Sequence, residues 1–96
     1  MDAAHERAAM MIDPTRPRGG KQVAAARVLA NVTQRQLASS AGLHVNSVRY
    51  LERQPVITTW HSSERVAKAL ADDFGVVFFT APTWGVRFRD KDELYG

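Results

Sequence analysis

Thr33-Gln34-Arg35-Gln36-Leu37-Ala38-Ser39-Ser40-Ala41-Gly42-Leu43-His44-Val45-Asn46-Ser47-Val48-Arg49-Tyr50-Leu51-Glu52-Arg53 reads as two short helices joined by a glycine turn. Thr33 and Gln36 have the spacing of a capping box. The threonine oxygen can accept from the backbone N–H three residues on, and the glutamine side chain can return to the threonine N–H. Leu37, Ala38 and Ala41 then form the inward face of the leading helix. Gly42 ends it, because glycine enters the left-handed conformation without steric cost. Leu43 anchors the turn, and a following helix over about residues 45–53 turns Val48 and Leu51 inward until Pro55 forbids continuation.

Working outward, residues 21–31 are rich in alanine and other good helix formers, with Val23, Ala26, Leu29 and Ala30 spaced for one buried face. Asn31 is the expected terminator, since asparagine tolerates the left-handed region. Residues 1–20 show no sustained amphipathic helix and end in Pro14, Arg16, Pro17, Arg18, Gly19 and Gly20, so they read as a flexible basic tail. Downstream, residues 55–61 carry no pattern. Val66, Ala67, Leu70 and Phe74 then give helical spacing over residues 62–74, with a serine at the N-cap and Gly75 past the end. The period next falls to two: residues 76–79 are β-branched and aromatic, and residues 86–89 alternate apolar and basic, the pattern of a β-hairpin. The expected architecture is mainly α, four helices over residues 21–75 with a C-terminal β-hairpin over 76–90 and a short tail over 91–96.

Composition narrows the chemistry. A chain of 96 residues holds one modest core. The absence of cysteine removes disulfides, thiolate catalysis and the usual zinc-ribbon sites, and fits a reducing, cytoplasmic setting. No stretch has the length of a membrane span, so no membrane partner is expected. His5, His44 and His61 lack metal-ligand spacing, the serines lack a nucleophile motif, and the glycines form no phosphate-cradling loop. No catalytic residue, metal or cofactor is expected, and the chain does not read as an enzyme. Trp60 and Trp84 are read as core or interface residues. The net charge of +3 is segregated: Arg16, Arg18, Lys21, Arg27, Arg35, Arg49, Arg53, Arg65 and Lys68 meet only Glu52 and Glu64 between residues 14 and 68. Such a field suits a polyanion, although an ordinary solvated surface accounts for it equally well.

The 33–53 segment closely resembles the phage-repressor/Cro-like, or XRE-type, helix-turn-helix family. The resemblance lies in its threonine-glutamine, leucine-alanine and alanine-glycine pairs, the apolar residue after the glycine, and the Leu51-Glu52-Arg53 ending. It extends over roughly residues 21–89, because short members of that family have an Ala-Arg-rich helix before the motif and another helix after it. Some also end in a strand like Gly85-Val86-Arg87. Two departures are plain: His44 stands where a serine or threonine usually caps the second motif helix, and Gln54-Pro55 replaces the glycine that often follows the motif. The family pattern also implies that Arg27, inside an apolar helix face, pairs with Glu52. Neither charge is readily buried alone, so an ion pair between the two helices is expected.

The resemblance implies double-stranded DNA as partner, read by the helix over residues 45–53. With Val48 and Leu51 turned inward, the opposite stripe presents Val45, Asn46, Arg49 and Arg53, flanked by Ser47 and Tyr50. Arginine can donate two bonds to guanine, asparagine can pair with adenine, and valine can touch a thymine methyl, so Val45, Asn46 and Arg49 are the candidates for base edges. Ser47, Tyr50 and Arg53 fit phosphate or flank contacts, with His44 and Arg35 at the motif's edges. Gln34, at a helix N-terminus, fits a phosphate. Arg16, Arg18 and Lys21 either form an arm along the DNA or are a solvated tail.

Residues 76–79 are apolar on both faces of their strand, more than a two-stranded hairpin covers. Val77, Phe79, Trp84, Val86 and Phe88 are therefore candidates for a homodimer interface, with packing inside one chain as the alternative. The expected function is a transcriptional regulator, a repressor binding a pseudo-palindromic operator as a dimer. The alternative is an antitoxin-like protein-interaction module that also binds its own operator.

Overall fold

A computed structural model describes residues 16–80 and 82–89. The described residues form four helices, α1 (Gly20–Leu29), α2 (Gln34–Ala41), α3 (Val45–Arg53) and α4 (Trp60–Phe74), followed by strands β1 (Val76–Phe79) and β2 (Gly85–Phe88). The fold is mainly α with a small antiparallel hairpin, as the periodicities require. No described helix is long and apolar enough to cross a membrane.

Local chemistry sets the helix ends. Thr33 Oγ1 accepts from Gln36 N–H at 3.0 Å and Gln36 Oε1 accepts from Thr33 N–H at 2.8 Å, completing the capping box of α2. Gly42 closes that helix at φ 69°, and Asn31 takes φ 59° just beyond α1. Leu43 N–H donates back to Ala38 O at 2.9 Å, which folds the turn tightly against α2. Arg65 of α4 adds a brace that the sequence did not reveal: its Nη1 lies 3.5 Å from Ala41 O and 3.4 Å from Gly42 O, satisfying carbonyls at the α2 C-terminus.

Val23, Ala26, Leu37, Ala38, Val48, Leu51, Val66 and Leu70 meet in one core, and Val76 and Phe78 of β1 extend it under the hairpin. Burying a large aliphatic side chain of this kind contributes roughly 1.5–3 kcal/mol. Two inward assignments change. Leu29 lies at the end of α1 and is partly exposed, while Ile57, in the stretch without a pattern, is fully buried.

Two boundaries are corrected. Residues 1–15 of the expected tail lie outside the described residues, but residues 16–20 are packed rather than free. Pro17 is fully buried, Ile57 N–H donates to Arg18 O at 2.8 Å, and Gly20 already belongs to α1. The proline and glycines break regular structure, yet their neighbours hold them in place. Helix α4 starts at Trp60, with Thr59 as N-cap, not at a serine. Ser63 is buried inside it and donates its hydroxyl to Trp60 O at 2.9 Å. The hairpin pairs Val76 with Phe88 and Phe79 with Gly85, and the expected tail over 91–96 lies outside the described residues.

Gly20 shows why the glycine pair is there. Its N–H donates to Gln54 O at 2.8 Å, and a Cβ at this position would fall on the carbonyl oxygens of Leu51 and Glu52, nearer than the 3.0 Å that real Cβ atoms keep. The start of α1 thus meets the end of α3 backbone to backbone. Replacing Gly20 by alanine gains up to about 1 kcal/mol of helix propensity. Overpacking against backbone costs about 1–3 kcal/mol, occasionally more, so a net loss is expected. A lowered urea midpoint for Gly20→Ala checks this, and an unchanged or higher midpoint would refute it.

Gln22 ties the same corner to the hairpin. It is buried, and its Oε1 accepts from Arg18 N–H at 2.7 Å and Gly19 N–H at 3.2 Å. Its Nε2 donates to Phe79 O at 3.1 Å and Gly85 O at 3.2 Å. A buried amide with all these bonds made is fixed in one geometry, so the hairpin has a defined seat on α1.

Candidate nucleic-acid interface

Helices α1, α2 and α4 pack against one side of α3 and leave its other side at the surface. Val48 and Leu51 are fully buried, whereas Asn46, Tyr50 and Arg53 are exposed and Ser47 and Arg49 are half-buried. The outward stripe therefore has the composition the spacing predicts, with one change. Val45 is half-buried and packs against the core, so its methyls are partly occupied by the protein itself.

His44 begins the helix from outside. Its Nδ1 accepts from Asn46 N–H at 3.1 Å, capping the helix as a serine or threonine oxygen could. The ring is exposed, with Nε2 left for an outside partner. One turn further on, Arg49 Nη1 donates to Asn46 Oδ1 at 3.1 Å. That bond links the two candidate base-reading side chains and directs the guanidinium along the helix surface. The remaining guanidinium N–H groups and the Asn46 amide N–H₂ form a surface rich in donors, suited to the O6 and N7 acceptors of guanine and to phosphate oxygens. No carboxylate occupies the first turn of α2 or α3.

Behind this face lies the ion pair that the sequence pointed to. Arg27 Nε sits 2.9 Å from Glu52 Oε2, and its Nη2 lies 3.3 Å from Oε1. The Glu52 side chain is only 8% exposed. Arg27 Nη1 also donates to Val32 O at 3.3 Å, so one guanidinium connects α1, the α1–α2 link and α3. Gln34 joins this group: its Nε2 donates to Glu52 Oε1 at 3.1 Å. Its side-chain amide is thus turned toward the ion pair, and any phosphate contact from residue 34 falls to its backbone N–H. Arg35, next along, is exposed.

The other candidate residues occupy different places. Lys21 and Arg53 both line a groove of about 650 Å³ between the start of α1, the end of α3 and Trp84. Arg16 and Arg18 lie over Trp60, which is partly exposed rather than core. On the hairpin, Val86 packs against the core, and the Phe79 ring lies where a Cβ on Gly85 would stand, so part of the apolar surface is covered from within the chain. Val77 is half-buried opposite Arg87, whereas Trp84 (51%) and Phe88 (57%) remain largely exposed. No group of His, Asp or Glu that could hold a metal occurs among the described residues.

No protein-family model, no curated protein and no solved structure matches this chain.

Proposed function

We propose that the chain is a sequence-specific double-stranded DNA-binding regulator of transcription of the phage-repressor/Cro-like type, working in the cytoplasm with no catalytic activity of its own. The observation that carries this reading is the outer face of α3. A short helix locked by Val48, Leu51 and the Arg27–Glu52 pair presents Asn46, Arg49, Tyr50 and Arg53 outward, with Asn46 and Arg49 already bonded to each other. A helix of this size fits the major groove, and side chains of these types can pair with base edges. Repression by occupying a promoter is the mode of action that the family resemblance implies.

Dimerisation through the exposed ends of the hairpin, Trp84 and Phe88, would place two copies of α3 for half-sites about one helical turn apart. The same exposed aromatics favour a second reading, in which a different protein docks on the hairpin and the chain acts as an antitoxin-like module. Co-purification of a stoichiometric partner would favour that second reading, while a dimer of the chain alone favours the first.

The deciding experiment is enrichment of fragments from the source genome at physiological salt. A small, reproducible set of fragments, bound more tightly than random duplex and less tightly as salt rises, is expected. Equal affinity for every fragment would refute sequence-specific regulation, and salt-independent binding would remove DNA altogether.

A further inference from the structure

We propose that Arg16 and Arg18, held on the ring of Trp60 beside the end of α3, form a preordered clamp for DNA backbone phosphate; this rests on the DNA-binding reading above. The segment is fastened along its backbone. Pro17 is fully buried, Arg18 N–H donates to Gln22 Oε1 at 2.7 Å, and Arg18 O accepts from Ile57 N–H at 2.8 Å. Gly20 N–H, two residues on, is bonded to Gln54 O, so the strand carrying the arginines is tied to the loop that leaves α3. That loop is itself drawn in, since Gln54 Nε2 donates to Thr59 Oγ1 at 2.9 Å immediately before Trp60.

The guanidinium carbons of Arg16 and Arg18 lie 6.0 Å and 5.6 Å from the centre of the Trp60 ring. An arginine resting on an aromatic ring keeps its N–H groups in the guanidinium plane, where they can form the two parallel bonds that a phosphate accepts. Arg16 Nη2 also lies 3.4 Å from a carboxylate oxygen of Glu64, which is well exposed. A third cation, Arg53, is exposed at the end of α3. A ring that carries two guanidinium groups is poorly placed to stack on an unpaired base, which favours duplex backbone over single-stranded nucleic acid. Because the segment is packed, little ordering entropy remains to be lost when the phosphate arrives.

The test measures affinity of the full chain for a mixed-sequence duplex of about 20 base pairs, by fluorescence anisotropy between about 50 and 200 mM salt. Each phosphate contact contributes about 0.9 to the slope of log affinity against log salt, so Arg16→Gln with Arg18→Gln should lower the slope by about 1.8. Arg16→Lys with Arg18→Lys, which keeps both charges, should restore most of it. Trp60→Phe should stay near the parent, and Trp60→Ala should lose part of the slope although both arginines are present. A merely structural role would move the melting temperature and leave the slope alone. The parent's slope in the glutamine pair, with Arg49→Ala still weakening binding to an enriched genomic fragment, would overturn the clamp and spare the α3 reading. Salt-independent binding by the parent would overturn both.

Discussion

Arg27→Ala is expected to lower the melting temperature by at least about 12 °C, the largest stability loss from a single side chain outside the apolar core. The reason is an asymmetry of burial. Glu52 is 8% exposed, and its oxygens receive Arg27 Nε, Arg27 Nη2 and Gln34 Nε2. Removing the arginine leaves a buried carboxylate with one neutral amide as its described partner, and breaking a buried pair in this way costs about 3–5 kcal/mol. A domain this small has about 5–15 kcal/mol in total, and each kilocalorie corresponds to about 4–8 °C in melting temperature. Val32 O also loses a donor, which loosens the link into α2.

The converse variant should be milder. The Arg27 side chain is 21% exposed, so in Glu52→Ala the guanidinium can turn its charge toward water. A double replacement by apolar residues, Arg27→Met with Glu52→Leu, should recover much of the loss, because no buried charge is then left unpaired. Thermal denaturation followed by circular dichroism distinguishes these cases. Melting of Arg27→Ala within about 2 °C of the parent, roughly half a kilocalorie, would show that the pair contributes no more than a surface contact.

The features legible in the sequence are those set by neighbours a few residues apart. The capping box at Thr33 and Gln36, the left-handed turns at Asn31 and Gly42, and the inward positions of Val48 and Leu51 depend on spacings of three or four. Family resemblance supplied the Arg27–Glu52 pair, which spans 25 positions and which spacing alone does not give. What escaped is long-range. Gln22 finds its acceptors 57 and 63 residues away, and a lone glutamine on a helix has no local mark of such partners. Ile57 is one apolar residue in a polar loop, without periodicity to signal burial. The Pro17 to Gly20 run illustrates a general limit: breaker residues say that regular structure stops, not whether the chain leaves the surface. Here they serve close packing, because a glycine is what lets α1 touch the backbone of α3. The site is legible in the same sense. The stripe on α3 follows from period 3.6, but the partial burial of Val45 and the turn of Gln34 toward Glu52 depend on tertiary contacts.

Arg49→Ala should weaken binding to an enriched DNA fragment by about 1–3 kcal/mol, roughly 5- to 150-fold, while changing binding to random duplex far less. A base contact is lost only where the matching base stands, whereas a phosphate contact is lost on every sequence. Asn46→Ala should also weaken specific binding, in part indirectly, since its Oδ1 holds Arg49 Nη1 at 3.1 Å. Without that acceptor the guanidinium must be ordered by the DNA itself, at a cost in side-chain entropy of up to about 2 kcal/mol. The two effects therefore overlap. Combining Asn46→Ala with Arg49→Ala should cost less than the sum of the single losses, with a coupling of about 0.5 kcal/mol or more. Asn46 is exposed and Arg49 half-buried on the outer side of a helix whose inward side is untouched, so melting temperatures should stay close to the parent's and separate loss of reading from loss of fold. Strict additivity would mean that the bond between them does not organise the reading face. Equal losses on enriched and random duplex would instead assign Arg49 to the backbone.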